Sequence, residues 1–229
     1  MTKFLCLSFL TLIGPSLAGV AAARQAWPSE FSSQATTILG HLLSAFKKKP
    51  TGVRLSYAAQ CDAVRRAPLI PPIRLQRPSR DNTVLEAARS TFSGNDNINV
   101  SSDEQNNVSI EIGNAPDTLL RTKIAALRLN EIEQYNPLRA IPAIEATKEV
   151  RKAATALHLI SAPSVSVQLV QPTSPGAPHL PSVLHNLTVD QILGMLAARF
   201  KGAVLYGVCT NGPQPHEFSI DFFDSDLWS

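Results

Sequence analysis

Apolar positions along this chain alternate between helical spacing of three and four and strict every-other-residue spacing, which predicts amphipathic helices set among short strands. Ile38, Leu39, Leu42, Leu43 and Phe46 form the stripe of a helix over about 34–48, with Ser33 as its cap and Pro50 as its end. Lys47–Lys49 put positive charge at its C-terminal end, where the macrodipole favours it. "VRLSY" (53–57) alternates as a strand. "APLIPPIRLQRP" (67–78) is broken by prolines and suits only an edge strand, with Ile73 and Leu75 facing in. Thr83-x-x-Glu86 is a capping box, and the helix it opens runs to Gly94. "INV" and "NVSIEIG" follow as short strands, with Val108, Ile110 and Ile112 on one face.

The middle of the chain changes period. From Asp117 to about Leu159 the spacing predicts helices: one over "DTLLRTKIAALRL", then one or two over "NPLRAIPAIEATKEVRKAATAL". Asn136 before Pro137 is a start signal, and Pro142 must start or kink a helix. "VSVQLV" alternates as a strand, and 171–182 is a proline-rich surface connection. At 188–200, Thr188 is an N-cap, Gln191 its N3 partner, and Leu187 a staple on Ile192. Val189, Ile192, Leu193, Leu196 and Phe200 share one face, and Gly202 is expected to stop the helix. "AVLYGVC" is continuously apolar and should be a central strand covered on both faces. "EFSIDFF" (217–223) predicts a half-buried strand with Phe218, Ile220 and Phe222 inward.

Helix, strand, strand is thus the order of three segments: 34–76, 83–112 and 188–223. Ile38–Lys47 and Ile192–Lys201 match at six of ten positions, which points to internal duplication. A striped helix must bury its stripe, so the expected class is α+β: small β-sheets each covered by an amphipathic helix, with a central helical segment. The expected division is a signal peptide (1–23), N-terminal α+β module or modules (24–113), a helical connector (114–162) and a C-terminal β-α-β-β module (163–229). Over roughly 67–113 and 164–223, this strand–helix–strand–strand order resembles the short N-terminal modules of secretins and TonB-dependent receptors. That resemblance implies small envelope domains that pair sheets or contact partner proteins. The proline-rich insert before Thr188 and the central helical block depart from it. Taken whole, the chain resembles an uncharacterised exported bacterial protein.

The first residues bear on compartment. Lys3 precedes the apolar run "FLCLSFLTLI", Pro15 breaks it, and small residues follow, as in a signal peptide cleaved after Ala18 or Ala23. The run is shorter than a bilayer span needs. The expected destination is the periplasm or the medium. With Cys6 in the leader, Cys61 and Cys209 remain; they either form a disulfide closing a loop of about 150 residues or stay as two buried thiols. Charge is uneven: residues 24–80 carry net +8 and residues 81–229 net −6. Lys47, Lys48, Lys49, Arg54, Arg65 and Arg66 form a basic patch that either meets an acidic envelope polymer or complements the chain's own acidic half. Export and 6% aromatic content argue against nucleic acid as a partner.

Catalytic signatures are sparse. The sequence has no glycine-rich phosphate loop, nucleophile elbow or paired-histidine zinc motif, so no cofactor or metal is expected. His41 lies beside the first helical stripe as a structural histidine. Cys209, His185 and His216 are the set from which a thiol or metal site would be built. Glu131 and Glu133 near Tyr135 are a carboxylate pair whose ordinary role is a solvated face. The favoured expectation is a non-enzymatic envelope protein that binds another protein through sheet edges; the alternative is an exported hydrolase or thiol enzyme using Cys209, His185 or His216.

Overall fold

The computed structural model describes residues 30–31, 38, 52–61, 68–70, 72–76, 83–103, 107–162, 176–209 and 216–224. The elements are β1 (Glu30–Phe31), β2 (Val53–Cys61), β3 (Pro68–Leu69), β4 (Ile73–Arg74), α1 (Val84–Thr91), β5 (Ile98–Ser102) and β6 (Val108–Ile112). Then come β7 (Lys123–Arg128), α2 (Glu131–Tyr135), α3 (Pro137–Glu145), α4 (Lys148–Ala156) and β8 (Leu159–Ser161). The chain continues through β9 (Val183–Thr188), α5 (Val189–Arg199), β10 (Gly202–Cys209) and β11 (His216–Asp224). The class is α+β.

One mixed sheet in the order β5-β6-β2-β10-β11-β8 carries the molecule. Its centre is parallel, β6-β2-β10; β5 and β11 flank it antiparallel, and β8 runs parallel to β11. The helix–hairpin units α1-β5-β6 and α5-β10-β11 therefore share a sheet, joined through β2. Alternation decides the faces. On one face Leu55, Tyr57, Val108, Ile110, Ile112 and Leu205 pack with Val84, Ala87, Ala88 and Phe92 from the α1 region. On the other, Val204, Tyr206, Val208, Phe218, Ile220 and Phe222 pack with Ile192, Leu193 and Leu196 of α5 and Ile141 and Ile144 of α3. β10 is buried along nearly its whole length, as a strand covered on both faces must be.

The capping boxes expected at Thr83 and Thr188 both form. Thr83 Oγ1 accepts from Glu86 N (3.3 Å) while Thr83 N donates to Glu86 Oε2 (3.0 Å). Thr188 Oγ1 accepts from Gln191 N (3.2 Å) while Thr188 N donates to Gln191 Oε1 (2.9 Å). The residue that reverses the backbone after α5 is Lys201, with φ +51°, rather than Gly202. Gly202 is needed for space, since a Cβ there would lie 2.2 Å from Phe222 Cζ and 2.5 Å from the Phe223 carbonyl oxygen.

The helix expected over "DTLLRTKIAALRL" does not form. Residues 123–128 are strand β7, paired antiparallel with β9 as a two-stranded ribbon. The turn before it serves α5 instead, since Thr122 O accepts from Val189 N (3.0 Å) and Leu120 O from Asp190 N (2.9 Å). Carbonyls that would close a local helix thus satisfy the orphan amides at the start of α5. The second stretch divides into α3 and α4, with Pro142 inside α3. The helix expected over 34–48 lies outside the described residues except Ile38, which is helical and fully buried. "VSVQLV" and the leader 1–23 also lie outside them. No helix among the described residues is long and apolar enough to cross a membrane.

Candidate functional site

The site follows from where α5 ends sideways. It packs on β2 and β10, and among the described residues no helix packs extensively on the same face of β6 and β5. The residues that alternation turns toward that face are polar. Register aligns Arg54 with Ser109 and Ser56 with Glu111, and beyond them Ser109 with Ser101 and Glu111 with Asn99. Between this floor and the flank of α5 lies a cleft of about 140 Å³, lined among others by Arg54, Ser101, Asp103, Asn107, Asp190 and Gly194.

Arg54 is the cation at its centre. Its Nε donates to Asp190 Oδ1 at 2.7 Å, and Nη1 donates to Ser56 Oγ at 3.2 Å. The Arg54 side chain is 17% exposed and that of Asp190 44%. Burial pushes the Asp190 carboxyl above its ordinary range; Arg54 opposes the shift, and the negative charges of Asp103 and Asp117 reinforce it. The rim is a closed turn: Asn107 N donates to Asp103 Oδ1 (2.9 Å), Asn107 Nδ2 to Asp103 Oδ2 (2.8 Å), and Asp103 N to Asn107 O (3.1 Å). Asn107 is buried, which fixes the turn's geometry. This arrangement can hold a charged or hydrogen-bonding group; among the described residues neither histidine nor cysteine lines it.

A second polar cluster lies within the fold. Glu145, at the end of α3, accepts a hydrogen bond from Ser161 Oγ at 2.9 Å, tying the edge strand β8 to the helix. Burial raises the Glu145 carboxyl to about 7; the Ser161 bond works against the rise, and Asp221 adds to it. Asp221 itself is 1% exposed, on β11 opposite Leu205.

The residues singled out from sequence are dispersed. Arg54 is turned to Asp190, a member of the acidic half; Lys47, Lys48, Lys49, Arg65 and Arg66 lie outside the described residues. Cys209 ends β10 opposite Glu217, half-buried, and its sulfur is already engaged. Cys61 ends β2, the strand beside β10. His216 opens β11, whereas His185 is exposed on the separate β7–β9 ribbon, so the proposed thiol set is divided between two sheets. Glu133 is a capping residue: its Oε2 accepts from Asn130 N at 2.8 Å. Tyr135 packs on His179 with ring centroids 5.1 Å apart. Among the described residues no group of three or more His, Cys, Asp or Glu is placed to hold a metal ion.

Asp103, Asp190, Glu145 and Asp221 were not marked by sequence. Asp221 stood at the alternate position of "FSIDFF", which reads as solvent-facing when one face of a strand is taken as open. No known protein family, curated protein or solved structure matches the chain.

Proposed function

We propose that this chain is an exported, non-enzymatic envelope protein, periplasmic or secreted, that captures another protein by adding a strand at the β5 edge. The supporting observation is the hydrogen-bond phase of β5. Gly113 N donates to Asn97 O (2.8 Å) and Asp103 N to Asn107 O (3.1 Å), so the bonded pairs with β6 fall at 97, 99, 101 and 103. The N–H and C=O groups of Val100 and Ser102 therefore point away from the sheet, and among the described residues no strand pairs with that side. An extended segment laid there gains main-chain hydrogen bonds, the usual source of affinity in strand addition. The leader-like first residues support export, and so does a proposed disulfide from Cys209 to Cys61 on the adjacent strand.

The deciding experiment is affinity purification from the producing cell's envelope with wild type and Val100→Pro. Proline at an outward N–H removes the docking donor and leaves the β6 ladder intact. A stoichiometric partner recovered with wild type and lost with Val100→Pro is expected. Equal recovery with both proteins, or none with wild type, overturns the reading.

A further inference from the structure

We infer that the segment captured at the β5 edge is an extended stretch in which β-branched apolar residues alternate with polar ones, the apolar set lying on the α1 face and a basic residue lying beside Asn99. The inference rests on the strand-addition reading above and specifies its partner.

Pleat phase is the first argument. Register pairs Ile98 with Ile112, Val100 with Ile110 and Ser102 with Val108, so these residues of β5 share the face that α1 covers. Ile98 and Val100 pack against the core there yet stay half-buried, as does Leu85 of α1. Among the described residues β5 is the outermost strand on this side, so the core ends along a line of partly wet apolar side chains. An added strand repeats the pleat about 4.8 Å further out, which sets its residues opposite Ile98 and Val100 on the same face. Valine or isoleucine at those places completes the burial, and a polar residue does not.

The opposite face calls for other chemistry. Asn99 and Ser101 are exposed, and register places Glu111 and Ser109 beside them on β6. The Glu111 side chain is half-buried and has no ion pair or hydrogen bond among the described residues. Arg54, one strand further on, is already held by Asp190 and Ser56. A residue laid opposite Asn99 lies two strand spacings from Glu111, about 10 Å between backbones. An extended lysine or arginine side chain closes that gap toward the carboxylate, whereas an acidic residue adds like charge.

The test is an NMR titration of the 15N-labelled protein with three peptides, acetyl-TVKVTVT-amide, acetyl-TTKTTTT-amide and acetyl-TVEVTVT-amide. The first should shift the amides of Val100 and Ser102. The all-polar peptide should bind about tenfold more weakly, the usual worth of two or three cross-strand pairs. The glutamate peptide should bind about threefold more weakly at low salt, and that difference should vanish at high salt. Val100→Thr keeps the outward N–H and the side-chain shape but loses the apolar contact, so it should cut the tenfold preference to about threefold. Equal binding of the valine and all-polar peptides, a preference unchanged in Val100→Thr, or a glutamate peptide as tight as the lysine one at low salt overturns the inference and leaves strand addition standing. No shift at Val100 or Ser102 with any of the three overturns both.

Discussion

Tyr57 lies across Gly207, its register partner on the neighbouring parallel strand, so closely that a Cβ on Gly207 would sit 1.9 Å from Tyr57 Oη and 2.0 Å from Cζ. The ring thereby spans β10 and hydrogen-bonds Ser219 of β11, which is Gly207's partner on the other side. Three strands are tied by one side chain, 1% exposed. Burial raises the Tyr57 hydroxyl to about 12, against the Ser219 bond and with the help of Asp221.

Gly207→Ala is therefore expected to cost about 3 kcal/mol, because a fully packed ring has nowhere to retreat. Tyr57→Phe should cost about 1 kcal/mol, the ordinary worth of the hydrogen bond to Ser219. Urea unfolding of the two variants checks the order; a Gly207→Ala protein as stable as wild type would mean the ring is elsewhere.

Glu145 makes stability depend on pH with a definite sign. Its ordinary value is 4.5 and its folded value about 7, so between these the native state holds a proton that the unfolded chain has released. The unfolded state binds fewer protons, and stability falls as pH rises through that window, then levels off above it. The loss should be on the order of 2 kcal/mol, less than the full shift implies because the group is only partly buried. Glu145→Gln should abolish this component. Urea midpoints of both proteins at pH 5 and pH 8 isolate it from the histidines, and parallel pH profiles would refute the assignment.

Arg54 and Asp190 join the first central strand to the last helix, yet their pair is half in solvent. A double-mutant cycle with Arg54→Ala and Asp190→Ala should give a coupling of only about 0.5–1 kcal/mol, shrinking in high salt. Arg54→Ala alone should cost more than the coupling, since it leaves Asp190 facing Asp103 and Asp117 without its counter-charge. A coupling well above that range would place the pair in a drier setting than its exposure indicates.

Local rules carried much of the fold. The capping boxes at Thr83 and Thr188, the inward faces of β6 and β11 and the buried run of β10 were legible because each is decided within a few residues. Ile124 and Leu127 misled for a physical reason: spacing of three fits a helix, while the competing claim on the Leu120 and Thr122 carbonyls comes from a helix nearly seventy residues later. The cleft was illegible for the same reason. Its members are drawn from β2, the β5–β6 turn and α5, and only the β6-β2-β10 pairing, which no local pattern encodes, brings Arg54 to Asp190. The positive excess of 24–80 and the negative excess of 81–229 hinted at such internal complementation without naming the pair.

That same parallel pairing sets the expectation for the cysteines. β2 and β10 run side by side, Cys209 opposite Ala59, with Cys61 two residues further along β2. A disulfide between Cys61 and Cys209 closes a loop of about 150 residues, which in the chain-entropy picture stabilises by roughly 5 kcal/mol, and in practice by about 2–4. Unreduced protein purified from the envelope should show no thiol from either residue, and Cys61→Ala should expose one, on Cys209. The double variant Cys61→Ala/Cys209→Ala should lose those 2–4 kcal/mol while the core faces stay packed, since Cys209 lies outside both core clusters. Two thiols titrating in unreduced wild-type protein would remove the bridge and, with it, one of the two supports for export.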